Sequence, residues 1–287
     1  MSRVAIMTDS NSGITQEEGK KLGVHVLPMP FFMGDETFFE DINLTQKDFY
    51  QKLTGNTSIS TSQPSPESIL SMFDDLLKEY DEVIHIPMSS SLSGSCETAY
   101  MLSREYNGKV QVADNRRISF SQRNSVLQAI ELVEQGKTAL EIKGILEKDA
   151  LNASIYVMVD TLEYLKKGGR ITPAAAALGT ILKLKPVLTF QGEKIDAFAK
   201  ARTSSQGKKI MLNAIRNDIE NRFGGLDNVT IQIAYTYNEE TASQWREEVK
   251  AEFGIEDVYM APLSLSVACH IGPGALAVGC IQKLKTE

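Results

Sequence analysis

Cysteine is scarce: Cys96, Cys269 and Cys280 are the only three in 287 residues, and they stand far apart. That excludes a disulfide framework and the paired spacing of a cysteine zinc site. Histidine is as rare, with His25, His85 and His270 alone. No apolar run approaches the ~20 residues of a membrane-spanning helix. The opening MSRVAIMTDSNSG has no apolar signal core, since Asp9 and a polar run follow six residues after Arg3. A reduced, cytoplasmic protein without stable membrane insertion is therefore expected. Nucleotide motifs are missing too. No G-x-G-x-x-G follows an apolar strand, and Gly136-Lys137-Thr138 has Glu131 where a P-loop needs its first glycine. The expectation is no metal and no cofactor.

What is present is an ordinary globular composition, 42% apolar and long enough for one large domain or two modest ones. The charge is uneven. Lys166 to Lys209 carries +8 within a chain whose net charge is −7, so the remainder holds −15. Such a segment is either a solvated face or a docking surface for an acidic partner. Nucleic acid is not an expected partner, because the molecule as a whole would be repelled.

Apolar stretches alternate with amphipathic ones. RVAIMTDS, VHVLPMPFF, EVIHIPM and KVQVAD read as strands. Helices are expected behind Thr15, Thr45, Ser65-Pro66 and Thr138, and over about 96–106 and 118–135. A second series begins at SIYVMVD, with strands near 154–159, 185–190, 194–199, 229–235, 257–260 and 276–282. Helices should fill about 161–167, 173–181, 205–222 and 239–252. This alternation predicts an α/β protein with parallel pairing in its first half. The boundary falls near 150–155, dividing residues 1–153 from 154–287. GNTSISTSQPSP reads as a polar loop, and Ala268 to Cys280 as an apolar strand broken by a Gly-Pro-Gly turn that aims His270.

Ligands of open α/β sheets sit beyond the carboxyl ends of strands and at helix N-termini. Three loops qualify: Thr8 to Ser12, Thr61 to Pro64, and Ser89 to Ser95 with its five serines. Hydroxyls and free N–H groups without a nearby Lys or Arg suit a carboxylate better than a polyphosphate. The alternative is that these hydroxyls only cap helices. Ser93, His270 and Asp9 could form a hydrolytic triad on paper, but the G-x-S-x-G elbow is absent. His85 reads as a core histidine, and His25 has no obvious partner. Met29 and Phe31 to Met33, with Ala174 to Leu178, Ile181 and Leu182, could line an apolar tunnel or simply pack a core.

The motifs TDSNSGI, TSQPSP, SSSLSGS, VDTLEYLKKGGRI, LKLKPVL, KARTSS and HIGPGA, in this order, resemble the DegV family across essentially the whole chain. The resemblance implies a two-domain α/β fold, with a parallel sheet first, a mixed sheet second and the ligand between them. It implies a bacterial, non-catalytic carrier of one long-chain fatty acid, feeding phospholipid synthesis. The carrier presents the carboxyl group to a separate ATP-dependent fatty acid kinase, which is the expected protein partner. Carried over to this sequence, Thr61, Ser62, Ser93 and Gly94 hold the carboxylate, with His270 nearby, and Arg170 and Arg202 meet the kinase. Two departures stand out: Asp114-Asn115-Arg116 followed by SFSQRNS replaces Asp-Ser-Lys and a glycine-containing helix start, and SSSLSGS replaces SSGLSGT. The other function classes are a stand-alone hydrolase or acyltransferase using Ser93 and His270, and a sensor of another small carboxylate or an isoprenoid.

Overall fold

The apolar run Val4–Asp9 is buried along its whole length, as a strand covered on both faces must be. It opens a computed structural model that describes residues 2–55, 58–178 and 184–284. In chain order the first half contains β1 (Val4–Asp9), α1 (Gln16–Leu22), β2 (Val24–Leu27), β3 (Pro30–Met33), β4 (Glu36–Phe39) and α2 (Gln46–Leu53). There follow β5 (Ile59–Thr61), α3 (Pro66–Glu79), β6 (Glu82–Ile86), α4 (Ser95–Ser103), β7 (Val110–Val112), α5 (Ser119–Glu134) and α6 (Ala139–Lys148). The second half adds β8 (Ala153–Met158), α7 (Glu163–Gly168), α8 (Pro173–Leu178), β9 (Lys185–Phe190), β10 (Asp196–Ala201) and α9 (Ser204–Asn221). It closes with β11 (Val229–Tyr235), α10 (Glu239–Phe253), β12 (Tyr259–Pro262), α11 (Leu265–Ile271) and β13 (Leu276–Gln282).

The first sheet is fully parallel, in the order β2-β1-β6-β7. Strand alternation splits its side chains between two cores. Val4 and Ile6 pack with Val126 and Ile142 of α5 and α6, while Ala5 and Met7 pack with Phe73 of α3 and Ala99 of α4. The second sheet is mixed, in the order β10-β9-β8-β13-β11-β12, with only β11 and β12 parallel. Tyr156 and Met158 of β8 face α9 and α10. Ile155 and Val157 turn the other way and meet Met29, Met88, Leu92 and Phe120 from the first half. The α/β class and the parallel and mixed sheets expected from the sequence are present.

Helix starts follow the cap residues. Thr45, Ser65 and Thr138 each accept a backbone N–H from three residues on, and Glu141 returns the bond to Thr138. Two expectations are corrected. The stretch read as a polar loop contains β5, whose Thr61 pairs with Phe31 in a small antiparallel sheet ordered β4-β3-β5. The broken strand is a helix before the turn and a strand after it: His270 lies in the last turn of α11, and extended structure begins at Leu276. The cause is tertiary. The Leu265 N–H at the start of α11 is held at 2.7 Å by Glu40 Oε2, far away in sequence.

Candidate functional site

Thr61 ends β5, and its register opposite Phe31 carries the hydroxyl toward α11. There Thr61 Oγ1 and His270 Nε2 stand 2.7 Å apart. Two close approaches seat the histidine. A Cβ at Gly168 would fall on the imidazole, and one at Gly272 would fall on the Tyr164 ring. The Gly-Pro-Gly turn is pinned by Thr236, whose Oγ1 donates to Gly272 O at 2.7 Å and accepts from the Ala275 N–H at 2.9 Å. Gly272 and Gly274 both have φ +82°, where a side chain would be strained. Burial, with the Arg170 guanidinium nearby, lowers the His270 pKa to about 4. The imidazole is therefore neutral near pH 7.

The Thr61–His270 pair borders a narrow cavity between the two halves. Ser62, Gln63 and Ser93 join the pair on the polar side, and Met29, Met88, Leu92, Ile118, Leu165 and Ile195 supply apolar wall. Gly94 lies beside the cavity at the N-cap of α4, where a Cβ would approach Gln63 Oε1 to 3.3 Å. Thr61, Arg170 and His270 also face an outer groove with Ser58, Ser60 and Lys167. These three side chains thus form a wall between the interior and the outside.

The serine loop divides its labour. Ser90 Oγ donates to Asp114 at 2.5 Å, Ser91 Oγ donates to the Glu193 carbonyl at 3.0 Å, and Ser89 Oγ bonds Ser91 Oγ at 2.8 Å. Ser93 Oγ accepts the Ser95 N–H at 3.2 Å, which leaves its proton to face the cavity. Asp9 serves the fold: its carboxylate accepts from the N–H groups of Asn11 and Met88 and from Gln122 Nε2. Burial raises its pKa. Among the described residues no hydrogen bond joins Ser93, His270 and Asp9, so the hydrolytic triad conceivable from the sequence is not assembled, and the hydroxyl that His270 meets is that of Thr61.

Arg170 and Arg202 separate. Arg170 is half-buried in the cavity wall, its Nε donating to Leu92 O at 3.3 Å and its Nη1 to Gly168 O. Arg202 is exposed and distinct from the cavity lining. Of the apolar candidates, Met29 lines the cavity, whereas Phe31 and Met33 pack against α2. Ala175 and Leu178 join the core between the halves, and Ile181, Leu182 and Lys183 lie outside the described residues. His85 is fully buried, with its pKa lowered to about 4 by burial, and His25 meets the Tyr80 ring edge-on. Asn11 and Gln63 line the cavity from two of the loops read as ligand loops, whereas Ser266 as a lining residue and Arg170 as a wall residue were not foreseen. No helix among the described residues is long and apolar enough to cross a membrane, and none of their His, Cys, Asp and Glu side chains cluster to hold a metal ion.

This geometry has parallels among known proteins. Residues 3–283 match the model of a family described as uncharacterised protein, DegV family. The chain is 30% identical to protein DegV of Bacillus subtilis, over 96% of this chain and 98% of that one. Its fold is similar to that of a Thermus thermophilus DegV family protein described for its fatty acid binding, with TM-score 0.89 and 31% identity over 98% of this chain and all of the other (100%). It is also similar to the structure of DegV from Bacillus subtilis, described as a fatty acid binding protein: TM-score 0.86 and 28% identity, over 99% and 100% of the two chains.

Proposed function

The chain belongs to the DegV family, and from that premise we propose that it carries a long-chain fatty acid and hands its carboxyl group to a separate enzyme. The observation that carries this reading is the polar wall at one side of an apolar cavity, built on the Thr61–His270 contact with the Arg170 guanidinium beside it. With the proton on Nε2, His270 donates to Thr61 Oγ1, and the Thr61 hydroxyl is free to donate to a carboxylate oxygen. Ser93 offers a second hydroxyl, and Ser62 and Gly94 bring backbone from their loops. The tail lies among Met29, Leu92, Ile118 and Ile195, where burial contributes roughly 0.8 kcal/mol per CH₂. Most of the affinity then resides in the tail; at the head-group end the hydroxyls donate, and the Arg170 guanidinium, engaged by the carbonyls of Leu92 and Gly168, adds charge attraction. The division at residue 153 follows the same logic: 1–153 bring the carboxylate loops, and 154–287 bring His270 and the cationic surface.

The chemistry belongs to a partner, an ATP-dependent fatty acid kinase that forms the acyl phosphate for phospholipid synthesis. Lys167 and Arg170 flank the outer groove through which such an enzyme would reach the head group. Beyond it, the edge strand β10 and the following residues expose Phe198, Lys200 and Arg202. An apolar anchor amid cations suits an acidic partner surface. Lys185 and Lys208 contribute less, being paired with Asp160 and Glu248.

Native mass spectrometry of the gently purified protein tests the reading. The expected result is one long-chain fatty acid per chain, lost from the Thr61→Ala and Ser93→Ala variants, each of which gives up about 1–3 kcal/mol of binding. A protein that holds no lipid and binds neither hexadecanoic nor octadecanoic acid in calorimetry would overturn it. A bound isoprenoid or short carboxylate would establish the sensor reading instead.

A further inference from the structure

Asn11 is 1% exposed and Ser266 is 6% exposed, yet both line the cavity. Neither belongs to the head-group wall. Asn11 Oδ1 accepts from Ser264 Oγ at 3.3 Å and from Ser266 Oγ, while its Nδ2 donates to Met88 Sδ at 2.9 Å. A thioether is a weak acceptor, and the amide carries a second N–H for which no described residue supplies a partner. Ser266 has given its proton to Asn11 and its oxygen stands 3.4 Å from Ser264 Oγ, which leaves it a lone pair for another donor. An amide donor and a hydroxyl acceptor therefore sit side by side in an otherwise apolar wall.

That pairing is the complement of a hydroxyl group, which accepts one hydrogen bond and donates another. A carboxylate would use only the donor, and a methylene would use neither. The spacing fixes where such a hydroxyl would stand. Ser266 precedes His270 by four residues on α11, one turn along the same face, or about 6 Å of helix. A chain whose carboxyl group meets Thr61 and His270 passes Asn11 and Ser266 a few carbons later.

Resting on the fatty-acid reading above, we propose that the cavity selects an acyl chain hydroxylated close to its carboxyl end, the hydroxyl accepting from Asn11 Nδ2 and donating to Ser266 Oγ. Calorimetry with solubilised hexadecanoic acid, β-hydroxyhexadecanoic acid and ω-hydroxyhexadecanoic acid tests this. The β-hydroxy acid should bind the wild-type protein about fivefold tighter than the unsubstituted acid, the worth of one well-made hydrogen bond. The ω-hydroxy acid should gain nothing. Ser266→Ala should erase the preference, measured as the ratio of the two affinities, and Ser266→Thr should restore it, with melting temperatures checking that both variants fold. Equal wild-type affinity for all three acids, or a preference that survives Ser266→Ala, overturns the proposal and leaves the fatty-acid reading standing. If none of the three binds, both readings fall.

Discussion

Gly168 lies against the Nδ1 edge of His270: a methyl group on its Cα would stand 3.1 Å from Cε1, 3.2 Å from Cγ and closer still to Nδ1. The imidazole that meets Thr61 at 2.7 Å thus rests on a residue with no side chain. Gly168 ends helix α7 without a positive φ, so alanine suits its backbone. Gly168→Ala should lower thermal stability, since overpacking against the seated imidazole costs about 1–3 kcal/mol and outweighs the about 0.5–1 kcal/mol by which alanine is favoured over glycine in a helix. It should weaken hexadecanoic acid binding about tenfold by pushing His270 away from Thr61, a loss of about 1.4 kcal/mol. Calorimetry and a melting curve on one preparation check both halves. Unchanged affinity would show that the histidine position is immaterial to the ligand.

Glu40 ties the small sheet to α11, accepting from the Leu265 N–H at 2.7 Å and from Gln46 Nε2 at 2.9 Å. Burial raises its pKa to about 8, with the Leu265 N–H opposing and Asp41 adding to the rise. A carboxyl with a raised folded pKa binds a proton that the unfolded chain has released. The contribution of Glu40 to stability should therefore fall as pH rises from about 4.5 to 8 and level off above that, most visibly above pH 6.5 where the histidines no longer titrate. Glu40→Gln keeps a neutral side chain at all pH values, so its denaturation curves should lose this slope. At alkaline pH the variant should be the more stable protein. A variant with the wild-type slope would place the titration elsewhere.

The two buried histidines act in the opposite sense at lower pH. His85 and His270 both have pKa values lowered to about 4 by burial, from 6.5. The unfolded chain then binds the extra protons, so stability should rise from about pH 4 to 6.5 and stay level above. Replacing His270 with glutamine should remove one proton's share of that acid slope in chemical denaturation. Near neutral pH, lipid affinity of the wild type should not follow an imidazole titration. A binding midpoint close to 6.5 would contradict this.

Arg170 and Arg202 should behave as different kinds of residue. Arg170→Ala leaves the carbonyls of Leu92 and Gly168 without their guanidinium, so both melting temperature and lipid affinity should drop. Arg202 is exposed, and Arg202→Glu should leave lipid binding intact while slowing kinase-supported transfer. The wild-type transfer rate should decline as salt rises, because exposed charges are screened beyond about 10 Å at 0.1 M. Equal transfer by Arg202→Glu and wild type at low salt would show that this face is only solvated.

Local chemistry made most of the elements legible. Thr45, Ser65 and Thr138 announce their helices through hydrogen bonds that close within three residues. The strands of the first sheet announce themselves as continuous apolar runs. What stayed hidden depends on partners distant in sequence. β5 exists because Ile59 and Thr61 pair with β3, and α11 begins where Glu40 receives it. In the site, Thr61, Ser93 and His270 stand in motifs that can be read, but their meeting is a property of the fold. Arg170 looked like surface charge because its neighbours Lys166 and Lys167 are charged and exposed. Only the carbonyls of Leu92 and Gly168 turn it inward. Asn11 was legible only as a member of the Thr8 to Ser12 loop, with nothing to set it apart from its polar neighbours.

The position of β13 bears on how the chain acquires this structure. Within the first sheet Ile6 pairs with Val24, a short loop to close, whereas β8 pairs with β13 by joining Ala153 to Ile281. Contacts so distant form late, because the chain entropy of closing the loop is lost before the pairing compensates. Until β13 inserts, β8 and β11 each present an unpaired edge, and the face that will border the lipid cavity is open to water. Such edges recruit neighbouring chains. Crowded synthesis is thus the stage at which this protein is most exposed to aggregation, and substitutions that weaken β13 should reduce soluble yield more than they reduce the melting temperature of the molecules that finish folding.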